Sequence, residues 1–188
     1  IKDGVDDHAI VPLIYEGKFI EQTVDEQNID LWFEQVTKRL TKPQREDLQN
    51  KWSSIKRLGS TSERIKRIAL DINLHFMEGY KNTGFKAMLA CNFKKDAVRY
   101  QKCFEQFGDL TTAVVISAPD MREGSEEVDE STDDTVVAFW NKMMAQYGNA
   151  DNYEDAIQNK FIDGEIDILI VCSKLLTGFD APRTQVLY

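Results

Sequence analysis

The residues best suited to chemistry lie at 166–182, where a short apolar run (Ile166 and Ile168 to Cys172) gives way to Ser173-Lys174 and then Thr177-Gly178-Phe179-Asp180. The run is β-branched, far too short to span a membrane and bounded by turn residues, so it reads as a buried strand. Pro182 follows and blocks helix continuation. Ligand sites in open α/β sheets lie beyond the carboxyl ends of the strands, where this turn would sit. Gly178 has no Cβ to hold a phosphate away from the backbone, and Asp180 offers a carboxylate to a hydroxyl or a cation. A plain strand-to-strand loop with a glycine turn accounts for the same residues, so residue types alone leave both readings open.

Other chemistries find little to stand on. Gly79 to Gly84 has the glycine spacing of a phosphate loop, but Phe85 stands where a lysine must reach the phosphates, and the segment ends a helical pattern instead of following a strand. Gly84 therefore reads as a turn before the first strand, and the chain holds no complete ATP site. Cys91, Cys103 and Cys172 have no C-x-x-C spacing and no histidine nearby, which speaks against zinc and for reduced thiols in the cytoplasm. The patterns G-x-S-x-G and H-E-x-x-H do not occur. With no long apolar run and no charged-then-apolar leader, neither secretion nor membrane insertion is expected.

A formal charge of −9 sits awkwardly with nucleic-acid binding. Residues 120–134 explain most of it: eight acids against one arginine give −7, leaving about −2 elsewhere. That stretch reads as a solvated connection or a partner-facing loop.

The elements that must position the turn follow from periodicity. Residues 9–20 read as a strand or extended arm, confined to an edge by Pro12. Helical spacing runs through Ile29, Trp32, Phe33, Val36 and Leu40, then Leu48, Trp52 and Ile55, with Thr41-Lys42-Pro43 between them. Ser60-x-x-Glu63 is a capping-box pattern opening a helix carried by Ile65, Ile68, Ala69, Ile72 and Phe76. After Gly84 the period changes to a strand at 86–91, a helix at 94–107 and a strand at 111–117. Helices near 135–147 and 152–163 precede the strand at 166–172. Strand–helix–strand alternation with short connections predicts an α/β fold with a parallel sheet. The division expected is a linker strand and helical segment over 1–84 and a sheet domain over 85–188. Beginning at Ile1 and ending at Tyr188 inside an apparent strand, the chain reads as cut at both ends.

Three blocks of residues carry a family resemblance. Leu175 to Pro182, followed by Val186-Leu187-Tyr188, resembles motif V of superfamily 2 helicases in the form found in the motor (R) subunit of type I restriction enzymes. Ile1 to Val5 and Val11 to Glu16 are similar to the segment joining that subunit's two motor domains. Leu58 to Ile65, with Ile68 to Ile72 after it, is the third block, and all three occur in the family's order. The resemblance implies a RecA-like parallel sheet with helices on both faces, the second of two such domains, missing its last elements. The implied activity of the complete subunit is ATP- and Mg²⁺-dependent translocation on double-stranded DNA. Its partners would be the first RecA-like domain of the same chain and the methyltransferase and specificity subunits.

By the same resemblance Gly178 and Asp180 face the nucleotide, Asp180 accepting from the ribose. Ser173 and Lys174, at the strand end, are candidates for touching a DNA phosphate, with a solvated turn as the alternative. Thr177 is a further DNA-track candidate, but many relatives carry Arg there, so a charge–phosphate contact does not carry over to it. Asn92 lies where relatives contact one DNA strand; an Asn before a helix also commonly serves as its N-cap. No catalytic residue or metal ligand is expected in this piece, and alone it should be inactive. A non-catalytic α/β module, or another superfamily 2 remodeller, would present the same pattern.

Overall fold

The computed structural model describes residues 14–17, 32–56, 63–119, 134–175 and 178–188. After a short helical stretch at 32–36 come α1 (Lys42–Lys56) and α2 (Glu63–Gly79). They lead into β1 (Lys86–Cys91), α3 (Lys94–Phe107) and β2 (Thr112–Val115). The chain continues through α4 (Asp134–Tyr147), α5 (Ala150–Asp163), β3 (Ile168–Cys172) and β4 (Thr184–Leu187). The four described strands form one sheet in the order β2-β3-β1-β4, and every pairing is parallel.

A parallel sheet requires apolar side chains on both faces, because its crossover helices cover both. β3 meets that requirement in full: all five of its residues are buried. Ile168, Ile170 and Cys172 point into one apolar cluster with α2 and α3, whereas Leu169 and Val171 point into a second with α5. β1 divides the same way, Ala87 and Leu89 against Met88. Helices thus lie on both faces, as the alternation of elements predicts, and the RecA-like α/β class holds.

Helix ends follow local chemistry. At the start of α1 the Gln44 side chain folds back on Thr41: the Thr41 N–H donates to Gln44 Oε1 at 3.0 Å, and the Thr41 hydroxyl donates to the same atom at 2.7 Å. Asn149 caps α5 by accepting from the Asn152 N–H at 2.8 Å. Gly84, at φ +85°, makes the left-handed turn expected before β1.

The helices before residue 84 share the sheet's first apolar cluster. Phe33, Trp52, Leu70 and Phe76 are buried in it with Leu89 and Phe104. Of the arm expected at 9–20, only 14–17 are described; they form no regular element, and Ile14 and Tyr15 are exposed. Ser60 of the expected capping box lies outside the described residues, as do residues 120–133 of the acidic stretch.

The amino edge of the sheet is fastened by charge. The Asp167 carboxylate, just ahead of β3, accepts from Lys81 Nζ at 2.6 Å and from the Thr111 N–H at 2.9 Å. Lys86 Nζ, at the start of β1, lies 3.6 Å from its other oxygen and donates to the Gly164 carbonyl at 2.8 Å.

Candidate functional site

The carboxyl edge is built differently. β1 and β3 are neighbours whose last residues, Cys91 and Cys172, are register partners. Asn92 and Ser173 therefore leave the sheet side by side, at a strand spacing of about 4.8 Å. This brings the β1 and β3 exits together, two segments some 80 residues apart in sequence.

The β3 exit carries unusual backbone. Ser173 (φ +54°), Leu175 (φ +58°) and Gly178 (φ +74°) all occupy the left-handed region. For the two residues that are not glycine this costs about 1–2 kcal/mol each. Such a conformation persists only where its surroundings fix it, and here apolar anchors do so. Leu175, Phe179 and Ala181 pack against the second cluster, and the Phe179 and Phe161 rings sit 6.1 Å apart. With Phe179 turned inward, Gly178 and Asp180 on either side of it are exposed. Among the described residues no atom lies within 4 Å of where a Gly178 Cβ would stand. Glycine is thus required there by its φ and leaves open space before the backbone.

All the expected site residues except Thr177 have a definite place. Gly178 and Asp180 share the exposed rim of the β3 exit. Ser173 is exposed at the strand end, and half-buried Lys174 is ion-paired to Glu154 of α5. Thr177 lies outside the described residues. Asn92 is exposed and is not the helix cap: Phe93 holds that position in extended conformation, with no side-chain bond to the helix. A strand ending at Cys91 and a helix starting at Lys94 shift the cap one residue beyond Asn92.

Sequence spacing gave no hint of the cleft beside Asn92. About 210 Å³ in volume, it is lined by Arg64 from the start of α2 and by Phe93, Asp96 and Tyr100 of the β1 exit and α3. Phe93 is 42% exposed, with Lys95 Nζ 5.4 Å from its ring centroid. Burial, reinforced by nearby Cys91 and Asp96, raises the Tyr100 phenol above its ordinary range. Among the described residues no three His, Cys, Asp or Glu side chains gather as a metal ion would need, and no helix is long and apolar enough to cross a membrane.

A family model described as type I restriction enzyme subunit R domain 3 matches residues 83–188, which include the whole sheet and both exits. The chain belongs to that family. A model described as SWI2/SNF2 ATPase matches residues 1–46. Among curated relatives, the putative type I restriction enzyme MjaVIIP endonuclease subunit of Methanocaldococcus jannaschii is 28% identical; the alignment covers 100% of this chain and 19% of that protein. The putative MjaIXP endonuclease subunit of the same organism is 22% identical over 96% of this chain and 16% of its own length. This R subunit chain therefore spans about a fifth or less of the relatives it matches. The resemblance borne by the Leu175–Pro182 block and its two companions is thereby confirmed at family level.

Proposed function

We propose that this chain is part of the ATP-driven double-stranded DNA translocase of a type I restriction endonuclease R subunit, forming one wall of its ATP cleft and a length of its DNA track. The supporting observation is the β3 exit itself. The block that resembles a helicase motif leaves the carboxyl edge of a parallel sheet, with Gly178 and Asp180 exposed and Leu175, Phe179 and Ala181 anchored.

These residues fit an approaching nucleotide from one side. Gly178 offers unobstructed backbone and Asp180 an exposed acceptor for a ribose hydroxyl. ATP with Mg²⁺ supplies the phosphoryl group whose hydrolysis drives movement; the phosphate loop and metal carboxylates belong to the first RecA-like domain. Asn92 and Ser173, side by side at the two exits, contact the DNA backbone, with Thr177 following them. Lys174 joins them only by exchanging Glu154 for a phosphate. The methyltransferase and specificity subunits complete a cytoplasmic assembly.

Asp180→Ala in the full-length subunit is the test. Losing an acceptor for a ribose hydroxyl removes about 1.5–3 kcal/mol, which weakens nucleotide coupling about tenfold or more. DNA-dependent ATPase and translocation should both fall while the protein stays folded. Unchanged rates would return Asp180 to a purely structural turn and remove the nucleotide reading.

A further inference from the structure

Cys91 ends β1 and Cys172 ends β3, and the two face each other as register partners across neighbouring strands. Strands spaced about 4.8 Å apart place paired Cα atoms inside the roughly 4.4–6.8 Å range that disulfides span. Both side chains lie on one face of the sheet: Cys172 belongs to the first apolar cluster and Cys91 packs against it. The Cys172 thiol already reaches across, its Sγ 3.6 Å from the carbonyl oxygen of Asn92, the residue that follows β1. The strand ladder stops at this pair, so little further pairing resists a small inward movement of the two ends. Cys91 also lines the 210 Å³ cleft, which gives a small reagent a route to it.

We propose that Cys91 and Cys172 are an oxidisable dithiol that closes to a disulfide across the carboxyl edge of the sheet, with hydrogen peroxide as oxidant. Cys91, the accessible partner, attacks a peroxide oxygen as thiolate. The O–O bond breaks, one oxygen leaves as water after protonation, and Cys91 becomes a sulfenic acid. Cys172 gives up its proton and attacks that sulfur. The S–O bond breaks, the S–S bond forms, and a second water departs. Two electrons and two thiol hydrogens pass to the peroxide, which ends as two waters. Burial first, then the neighbouring Cys172 and Asp96, push the Cys91 thiol up to about 12. The reaction is accordingly slow at neutral pH and quickens about tenfold per pH unit from 7 to 9. Once closed, the bond ties the first residues of both exit loops together. The site rests on strand geometry and does not depend on the nucleotide reading.

The test treats the full-length subunit with hydrogen peroxide under native conditions at pH 8.5. Catalase then removes the oxidant, free thiols are alkylated in denaturant, and unreduced peptides are mapped by mass spectrometry. A Cys91–Cys172 linked pair is expected, reversible by dithiothreitol, with Cys103, wholly buried on α3, alkylated. In Cys172→Ala the sulfenic acid on Cys91 should persist and be trapped by dimedone at least tenfold more than in the parent. Recovery of Cys91 and Cys172 as free thiols, or equal dimedone trapping with and without Cys172, overturns the proposal. Because the linked pair is read on the unmutated protein, misfolding of a variant cannot obscure the result.

Discussion

Removing the Asp167 carboxylate probes the amino edge of the sheet. Its side chain is only 13% exposed, and it serves Lys81, Lys86 and the Thr111 N–H at once. In Asp167→Ala the Lys86 ammonium, with its side chain 8% exposed, keeps the Gly164 carbonyl but loses its counter-charge. Breaking a buried pair by deleting one partner costs about 3–5 kcal/mol, because the remaining charge stays desolvated. The Thr111 N–H also loses its carboxylate acceptor, and Lys81, 24% exposed, adds little because water screens it. The expected loss is therefore about 3–4 kcal/mol, a large share of a typical domain stability of about 5–15 kcal/mol. Asp167→Asn keeps an acceptor for Thr111 and should lose about half as much. Urea unfolding of the 188-residue chain at pH 7 measures both. If stranded charge is the cause, Lys86→Met added to Asp167→Ala should recover at least 1 kcal/mol, on the order of one lost hydrogen bond. A loss under about 1 kcal/mol for Asp167→Ala, or no recovery in the double variant, refutes the reasoning.

Trp52, 3% exposed and within 6 Å of the Trp32 and Phe33 ring centroids, holds α1 to the core; Trp52→Ala should cost about 3–5 kcal/mol in urea unfolding. Alkali should destabilise the fold from about pH 9 upward. Burial raises Cys103 from 9.0 to about 12, so that stability is fully present below 9 and lost as pH climbs towards 12. Burial lowers Lys51, but its bonds to Asp109 and Asp47 outweigh this and raise it above 10.5, so its contribution is present below 10.5 and lost above. A melting temperature flat from pH 8 to 11 would contradict both. Glu154→Gln should free Lys174 and strengthen DNA binding by the full-length subunit, whereas Lys174→Ala should weaken it and lower the salt slope by about one, read by titration at several salt concentrations.

The sequence was most legible where burial repeats at a fixed period. The helix expected at 94–107 matches α3 to the residue, because its apolar face and the Gly108 end both follow known preferences. The strands are shorter than the apolar runs for a physical reason: Ile116 and Ile166 are buried, yet neither belongs to a strand, so apolar character extends past the ladder. At the site, the exposed turn carrying Gly178 and Asp180 was legible from glycine and strand-end position. The left-handed backbone at Ser173 and Leu175 was not, since neither residue type favours it and the strain is imposed by packing. The nearness of Arg64 to Asn92, and of Glu154 to Lys174, arises from tertiary crossings that no local spacing encodes.

The contrast between the sheet's two edges gives the domain a gradient of stiffness. At the amino edge, ionic ties knot the turn before β1, the start of β1, the approach to β2 and the entry of β3 into one unit. At the carboxyl edge, the strands release two loops held by a few apolar contacts, by the ion pair of Lys174 with Glu154 and by backbone that would relax if freed. A load applied there is resisted at the far edge, so strands and helices move as a handle while the exits yield. Amide exchange should map this directly, with protection falling along β1 and β3 from Ala87 and Ile168 towards Cys91 and Cys172. For the translocase proposed above, compliance would then be concentrated at the end where the candidate site lies.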